Sequence, residues 1–294
     1  MKFRGLFVGL TTIDIQYFVD VFPGANKKVK TGSPEIMVGG PAANAAVAFS
    51  ALNKGVYFIS AAGKHGFSDF ITQDFQNHNL EFIDLLDDKS YQPVIASVVT
   101  AENGDRNIFT HHPKTIHPCI APKQILDEIK PEIILLDGFY PEFSVALARE
   151  AKQRKIPVVL DCGSWKPQFQ ELLSLADIAI CSSDFYPPLC SSVNEVFNFL
   201  EKCGIGAFAI SRGAESILVS HAGNKGEIAV DNIISVDTLG AGDILHGAFC
   251  YYYLFEHQFN LALTKAAKLA SFSCKYRGTR EWLSDLDVYL TKNN

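Results

Sequence analysis

Short apolar runs recur along the chain, and each is followed by turn-forming residues. Six of them predict buried strands, at residues 6–10, 56–61, 133–137, 158–161, 178–181 and 208–211. Most lead into a segment with helical period. The clearest predicted helix covers residues 41–54, because Pro41 suits a first helical position and Gly55 suits a left-handed cap. With further helices expected at 143–155 and 241–255, this alternation predicts an α/β fold whose mostly parallel sheet is covered on both faces.

Two segments do not follow this alternation of strands and helices. Residues 15–38 and 92–111 alternate apolar and polar positions with period two, which predicts antiparallel strands with one solvated face. Asn103-Gly104-Asp105 is a hairpin signal within the second segment. We expect a small sheet that stands off the main one as a lid. Because no Pro/Gly/Ser-rich linker interrupts the chain, one domain over residues 1–294 is predicted.

Composition narrows the possible functions. The chain has 294 residues, 48% of them hydrophobic, and such a length can bury about three quarters of the unfolded surface. A disordered or disulfide-stapled protein is therefore excluded. The net charge of −6 offers no cationic field for a polyanion, so a nucleic-acid partner is not expected. Backbone amides and single cations can still bind a small anion.

Cysteine and histidine usage gives little support for a metal site. The seven cysteines include no Cys-x-x-Cys pair, and their odd number, without a signal-peptide pattern, predicts reduced thiols in the cytoplasm. His111, His112 and His117 could form a metal cluster, but their spacing favours surface or lid residues. No uncharged apolar run approaches 18 residues, so no membrane association is expected.

The strongest candidate for chemistry is the run Asp237-Thr238-Leu239-Gly240-Ala241-Gly242-Asp243, which opens a predicted helix. Small residues at a helix start let orphan backbone amides approach an anion, and the helix dipole adds to the attraction. A tight turn would look the same. Asp243 could simply cap the helix, yet it is also placed to take a proton from a hydroxyl that attacks a phosphate.

Two further positions are candidates for ligand binding. Gly39 and Gly40 precede a predicted helix and allow a close backbone approach, and Asn44 lies in the first turns of that helix. A tight turn with a locally bonded Asn44 is the alternative. Asp14 follows an apolar strand, where ligands of open parallel sheets bind, although a turn-forming aspartate is equally ordinary there.

Together these motifs resemble the two signatures of PfkB-type, ribokinase-like carbohydrate kinases. The resemblance covers nearly the whole chain, and residues 8–20 and 103–106 are most similar to the ketohexokinase branch. It implies a three-layer ribokinase-like fold with a small β-sheet lid. It also implies transfer of the γ-phosphoryl of ATP to a hydroxyl of a small sugar or polyol, with ATP and Mg²⁺ as cofactors. A monovalent cation such as K⁺ is a further candidate.

The resemblance also implies residue roles. Asp243 would be the general base, and the amides of Gly240, Ala241 and Gly242 would form an anion hole. Arg106 on the lid would reach the substrate or the phosphate, and residues 224–236 and 267–271 would flank adenine. The expected sugar ligands are Asp14, Gly39, Gly40 and Asn44. The expected nucleotide ligands are Ser211, Gly213, Thr238, Gly240 and Gly242.

The chain departs from the family pattern at several points. Many members carry Asn-x-x-Glu where Ser182-Ser183-Asp184-Phe185 stands here, so Asp184 would contact Mg²⁺ through water if it replaces the glutamate. Residues 63–66 lack the acid often found there, and Asn26 replaces an aspartate of the ketohexokinase pattern. The acceptor sugar therefore stays open.

Three alternative functions and a homodimeric assembly are also considered. A nucleoside kinase of the same fold and a degenerate, ligand-binding regulator are alternatives. A dinucleotide oxidoreductase would need Gly-x-Gly-x-x-Gly after the first strand, and residues 9–14 do not supply it. Because a small sheet with an apolar face and free edges needs cover, we expect a homodimer through lid strands in 15–38.

Overall fold

The computed structural model describes residues 2–87, 91–103, 105–111 and 115–293. Within these ranges the chain forms a nine-stranded sheet, a four-stranded sheet and helices on both faces of the larger one. The strands are β1 (Gly5–Val8), β2 (Thr12–Val19), β3 (Glu35–Gly39), β4 (Val56–Ser60), β5 (Leu80–Asp84), β6 (Val94–Ala101), β7 (Arg106–Phe109), β8 (Ile133–Leu136), β9 (Val158–Cys162), β10 (Ile178–Ser182), β11 (Ala207–Arg212), β12 (Glu215–His221) and β13 (Asn224–Ile228).

The helices follow the strands in alternation. They are α1 (Pro41–Asn53), α2 (Ser68–Asn77), α3 (Pro122–Ile129), α4 (Pro141–Gln153), α5 (Phe169–Leu175), α6 (Val193–Lys202), α7 (Ala241–Glu256), α8 (Phe259–Ser273) and α9 (Leu286–Asn293), with a 3₁₀ helix at Glu281–Asp285. Across the described residues, no helix combines the length and the apolar composition needed to cross a bilayer.

The large sheet has the strand order β13-β12-β11-β10-β9-β8-β1-β4-β5. Its strands from β11 to β5 are parallel, and β12 and β13 extend it antiparallel at one edge. All four residues of β8 are buried, because a parallel strand covered on both faces is apolar throughout. The six predicted buried strands are confirmed as β1, β4, β8, β9, β10 and β11.

Two hydrophobic clusters lie on opposite faces of this sheet. Helices α1, α2, α7 and α8 contribute to the first cluster, which includes the fully buried Trp282. Helices α3 to α6 contribute to the second, where Trp165 and Phe169 pack on the ring of Phe185. The predicted α/β fold with covered faces is therefore confirmed. That residues 1–294 form one domain stays a prediction.

The best-predicted helix, α1, differs from expectation at its end. It begins at Pro41 and stops at Asn53, and Lys54 takes the left-handed conformation with φ 60°. We expected Gly55 to do so, but its φ is 140°. The cap comes one residue earlier because the Lys54 N–H bonds to the Ser50 carbonyl and the chain enters β4 directly afterwards.

The small sheet has the strand order β3-β2-β6-β7. The pairs β2–β3 and β6–β7 are antiparallel as expected, but β2 and β6 are parallel, so the prediction of antiparallel strands was wrong for the central pair. The chain passes through β4 and β5 between them and re-enters the small sheet from the same end. Strand β2 also begins at Thr12, before the predicted segment, and Gly104 of the predicted hairpin turn lies outside the described residues.

The two faces of the small sheet differ in chemistry. Asp14 and Ile15 are consecutive in β2 and therefore point to opposite faces. On the face of Ile15, the paired positions across the sheet include Ile36 and Phe109, which are 51% and 67% exposed. The face expected to be solvated and polar thus carries exposed apolar side chains.

Candidate active site

Two helix starts meet beneath the small sheet. Helices α1 and α7 pack closely because Gly247 leaves room for the α1 backbone: an added Cβ would lie 2.0 Å from the Ala45 carbonyl oxygen. This approach brings the first turns of both helices together. The Asn44 Nδ2 donates a hydrogen bond of 2.7 Å to the Asp243 Oδ2. The two residues are 199 positions apart in the sequence, and the structure places them in one site.

The environment of Asp243 adjusts its basicity. Burial raises the pKa of Asp243 to about 7, and the nearby carboxylates of Asp161 and Asp14 act in the same direction. The hydrogen bond from Asn44 and the proximity of His246 oppose this rise. Asp243 keeps part of its surface exposed. A carboxyl group with a pKa near neutrality can accept and release protons under physiological conditions.

The start of α7 forms an amide cradle. Gly240 precedes the helix with φ 71°, and an added Cβ there would lie 2.7 Å from Thr279 Cγ2. The Ala241 N–H makes a 3.3 Å hydrogen bond to the Thr238 carbonyl. At Gly242, an added Cβ would meet no atom within 4 Å. The first-turn amides beyond Ala241 have no intrahelical acceptor, so this open start of the helix suits an anion.

A cavity of about 210 Å³ adjoins the cradle. Its apolar end includes Ile217, Val230, Leu245 and Ala267, and its polar end reaches the start of α7. Five residues that the sequence linked to nucleotide or phosphate line this cavity: Ser211, Gly213, Thr238, Ala241 and Gly242. Residues 230–233 and 235 and the α8 residues Ala267, Ala270 and Ser271 also line the cavity, whereas β13 itself does not. That these residues flank adenine stays a prediction. The cavity combines an apolar lining with an adjoining open helix start that suits an anion.

Asp14 lies on the opposite side of the cradle. It follows the first apolar strand as expected, since β1 ends at Val8, but it lies within lid strand β2 and not in a turn. The Thr12 hydroxyl donates to Asp14 Oδ1 at 2.6 Å, and burial raises the pKa of Asp14. An added Cβ at Gly39 would lie 2.0 Å from Asp14 Oδ2, and Gly40 has φ 107°. Both glycines are therefore needed to bring the Asp14 carboxylate against the start of α1.

Arg280 is a site residue that the sequence did not reveal. Its Nη1 donates to Asn44 Oδ1 at 2.8 Å, and its Nη2 donates to the Val38 carbonyl at 3.0 Å and forms a 3.4 Å ion pair with Asp74. The guanidinium thus fixes the orientation of the Asn44 amide, whose NH₂ then points at Asp243. The contact joins residues 236 positions apart, and no local motif marks Arg280.

Asp137 is a second buried carboxylate that was not anticipated as part of the site. It accepts hydrogen bonds from the Leu10 N–H at 2.8 Å and the Phe139 N–H at 3.0 Å. An added Cβ at Gly9 would lie 2.1 Å from its carboxyl group, so Gly9 makes room for it. Burial raises the pKa of Asp137 to about 6. Its contacts join the ends of β1 and β8 beneath the site.

Arg106 begins lid strand β7, and its positive charge opposes the rise that burial causes in the pKa of Cys274. Cys274 lines the cavity beside the cradle. Arg106 is therefore within electrostatic reach of this cavity, and its contact with the substrate or the phosphate stays a prediction.

The described residues form no protein cage for a metal. They contain no group of three or more His, Cys, Asp or Glu side chains that could hold an ion. Asp184 is exposed after β10, and Phe185 is buried against Trp165, so the ring takes no part in the site. His111 and His117 are exposed, and His112 lies outside the described residues. Mg²⁺ that remains bound to phosphate oxygens and water needs few protein ligands.

Known proteins are similar to this chain over most of its length. The model of the pfkB family of carbohydrate kinases matches residues 4–286. Ribokinase of Dictyostelium discoideum is 24% identical over 93% of this chain and 95% of the relative, and ketohexokinase of Mus musculus is 21% identical over 93% of this chain and 96% of the relative. The structure of ribokinase from Giardia lamblia has a TM-score of 0.80 at 18% identity and covers all of both chains. Other relatives are named deoxyribokinase and nucleoside kinase.

The chain belongs to the pfkB family of carbohydrate kinases. Its ribokinase-like fold is confirmed. Kinases of this family use ATP and Mg²⁺, and this chain is an ATP-dependent phosphotransferase of the family with an alcohol group as acceptor. The similarity to ketohexokinase is confirmed at low identity, while ribokinases are the more frequent relatives. At this level the class of acceptor is a sugar or a nucleoside.

Proposed function

We propose that the protein transfers the γ-phosphoryl of ATP to a hydroxyl group of a small sugar or polyol, with Asp243 as the general base. One observation carries the proposal: Asp243 stands at an open helix start that a largely apolar cavity adjoins, and the polar side chains of Asn44 and Asp14 lie close to its carboxylate. An acceptor held by those side chains and a phosphate held by the cradle would meet at this carboxylate.

The chemical step follows from this placement. Asp243 accepts the proton of the acceptor hydroxyl while its oxygen forms a bond to the γ-phosphorus. The bond from that phosphorus to the bridging oxygen breaks, and ADP leaves. The amides of Gly240, Ala241 and Gly242 and the α7 dipole would stabilise the transferred group. A general base contributes about 10²–10⁴-fold, and each fixed anion-hole donor about 10²–10³-fold.

The remaining residues position the two substrates. Asp14, Gly39, Gly40 and Asn44 are proposed to bind the acceptor, and Arg106 to reach over the transferred phosphate. For ATP, the proposed contacts are Ser211, Gly213, Thr238, Gly240 and Gly242. The lid would exclude water, which otherwise competes with the acceptor for the phosphoryl group.

Two ions belong to the proposal. Mg²⁺ would neutralise the phosphates and keep most of its water, with Asp184 contributing through a bound water molecule. K⁺ is kept as a candidate activator, and its role is tested by replacing K⁺ with a large organic cation in the assay. No protein-based step in the mechanism depends on either ion.

The decisive experiment is an acceptor screen. The protein is incubated with ATP, Mg²⁺ and panels of pentoses, hexoses, polyols and nucleosides, and phosphorylated products are detected by mass spectrometry. A phosphorylated sugar or polyol is expected. Preference for a nucleoside would favour the nucleoside kinase instead. Ligand-induced thermal stabilisation, without ATP consumption on any acceptor, would favour a ligand-binding regulator. The replacement of the family glutamate by Phe185 supports this alternative.

We further propose that the protein is a homodimer through the lid. The outer face of the small sheet carries exposed Ile36 and Phe109 in one row across its strands. Both β3 and β7 are edge strands of that sheet. A sheet with an exposed apolar face and two free edges is protected when a second copy of the chain covers it. In a symmetric dimer, each copy buries the apolar face of the other copy's small sheet.

A further inference from the structure

His246 lies one turn after Asp243 on α7 and is 5% exposed. Each of its ring nitrogens contacts a backbone carbonyl oxygen. Nδ1 lies 2.6 Å from the Gly242 oxygen, and Nε2 lies 3.0 Å from the Ile180 oxygen on β10. A carbonyl oxygen can only accept a hydrogen bond, so both contacts require a ring nitrogen that donates.

A neutral imidazole cannot satisfy this geometry. It carries one N–H and one lone pair, and the lone pair would face a carbonyl oxygen at close range in either tautomer. Turning the ring over would place carbon atoms against both oxygens and leave both nitrogens without these partners. The protonated ring has two donors and matches both acceptors.

The charges around His246 also favour a cation. Asp161, at the end of β9, is 4% exposed and has its Oδ1 at 3.6 Å from Nε2. Its Oδ2 has no hydrogen-bond partner among the described residues. The other titratable groups facing this region are Asp243 and Cys250 on α7, Cys162 next to Asp161 and, farther out, Asp14 on β2 and Asp137 after β8. β10 contributes the Ile180 carbonyl. The charge of Arg280 acts on Asp14 and that of Lys166 acts on Asp137 and Cys162, whereas His246 is the cation that acts on Asp243.

We propose that His246 is an imidazolium at neutral pH and acts as a positioning residue, whose charge balances Asp161 and keeps Asp243 ionised for proton transfer. The second half of this inference rests on the proposed role of Asp243 as the base. Without the imidazolium, the neighbouring Asp161 carboxylate would favour a proton on Asp243, and a protonated carboxyl group cannot accept one from the acceptor.

The first test is the protonation state of His246 in the native protein. The eight histidines are labelled with ¹⁵N, and the His246 signals are identified by their absence in His246→Gln. At pH 7 we expect two ring nitrogens with the nearly equal shifts of a protonated imidazole. The unequal pair of a single neutral tautomer would overturn the proposal. This measurement needs no substrate, so it stands whether or not the proposed function does.

The second test is the titration of Asp243. The ¹³C carboxyl signal, identified by its loss in Asp243→Asn, is followed with pH in wild type and in His246→Gln. Removal of the positive charge is expected to raise the pKa of Asp243 by about one unit. Cys250→Ala, one turn further along the same helix, is the matched control and is expected to leave this titration in place. An unchanged midpoint in His246→Gln, or an equal shift in the control, would contradict the proposal.

Asp161→Asn provides a second variant in case His246→Gln does not fold. Loss of the neighbouring carboxylate should let His246 release its proton at a lower pH than in wild type, as read from the same ¹⁵N signals. A His246 titration that is identical in the two proteins would refute the pairing. If the acceptor screen fails while both titrations behave as expected, the charge pair stands and the kinase proposal does not.

Discussion

Asp243 is surrounded by groups with opposing effects on its proton. Burial, Asp161 and Asp14 favour the protonated carboxyl group, whereas Asn44 and His246 favour the carboxylate. The outcome is a pKa of about 7, well above that of an ordinary aspartate. A pKa this close to neutrality makes the ionised fraction of Asp243 sensitive to small changes in pH. Only the ionised form can take a proton from a sugar hydroxyl.

The kcat/KM of the enzyme should therefore fall in mild acid. Only ionised Asp243 can accept the proton, so log kcat/KM is expected to decrease by about one per pH unit below about pH 7 and to level off above it. The measurement is kcat/KM between pH 5 and pH 9, because kcat/KM follows the pKa of the free enzyme. A profile that stays flat down to pH 5 would show that no group with this pKa controls the chemical step.

Arg280→Lys should impair turnover through Asn44. A lysine has a single nitrogen and cannot bond to Asn44, the Val38 carbonyl and Asp74 together, so the Asn44 amide loses its fixed orientation towards Asp243. Loss of one orienting hydrogen bond corresponds to about a tenfold decrease in kcat. Steady-state kinetics measure the decrease. The control is Arg149→Lys, which changes an exposed arginine on α4. An equal effect in both variants would contradict a specific role of Arg280 in orienting Asn44.

The residues that could be found from the sequence were those with a local signal. Asp243 was found because it follows two glycines at a helix start, and Asn44 because it follows Gly39 and Gly40. Arg280 and His246 reach the site only through the packing of distant segments, so no spacing along the chain marks them. The bond between Asn44 and Asp243 likewise depends on how α1 and α7 cross, which one sequence does not determine.

At the scale of elements, the starts of α1 and α7 were predictable because proline and glycine act locally. Helix α6 was missed although Ser192 and Glu195 form a capping box, which the structure contains as reciprocal hydrogen bonds. The parallel pairing of β2 with β6 was not predictable from alternation, since period two describes either direction. Direction depends on the path of the intervening chain.

Gly242→Ala should separate stability from activity. Gly242 has ordinary helical backbone and empty space where a Cβ would stand, so alanine should raise the free energy of unfolding by up to about 1 kcal/mol. The same methyl group would occupy the cradle and is expected to lower kcat/KM for ATP by at least about tenfold, as one lost anion contact would. Denaturant unfolding and kinetics measure the two effects.

Gly39→Ala is the contrasting change in the other turn. Its Cβ would lie 2.0 Å from Asp14 Oδ2, so Asp14 must move and the protein should lose stability as well as acceptor binding. The loss is expected to be about 1–3 kcal/mol in the free energy of unfolding. A Gly39→Ala protein as stable as wild type, with an unchanged KM for the acceptor, would contradict the placement of Asp14.

At the scale of the whole molecule, the proposed dimer would link catalysis with assembly through the lid. One face of the small sheet carries Asp14 towards the site, and the opposite face carries Ile36 and Phe109 towards solvent. A second copy bound to this outer face would hold the sheet in place while the inner face of the sheet contacts the acceptor. Sequence patterning predicted a small sheet with an apolar face, but only the strand register shows which residues form its exposed row.

Phe109→Asp should disrupt the proposed dimer. A carboxylate in the row shared with Ile36 would be buried against the second copy at a high free-energy cost. Sedimentation velocity at micromolar concentration should give a dimer for wild type and a monomer for the variant. Val288→Asp, at an exposed valine on α9, is the control and should remain dimeric. A monomeric wild-type protein would remove the lid interface from the account.

The central claim is that the Asp243 carboxylate activates the acceptor hydroxyl, and Asp243→Asn tests it most directly. On the acceptor found in the screen, the variant should lose about 10²–10⁴-fold in kcat and still bind ATP, because asparagine keeps the shape of the side chain but cannot take the proton. Asp69→Asn, in the first turn of α2, should retain wild-type turnover. Full turnover by Asp243→Asn would contradict the account.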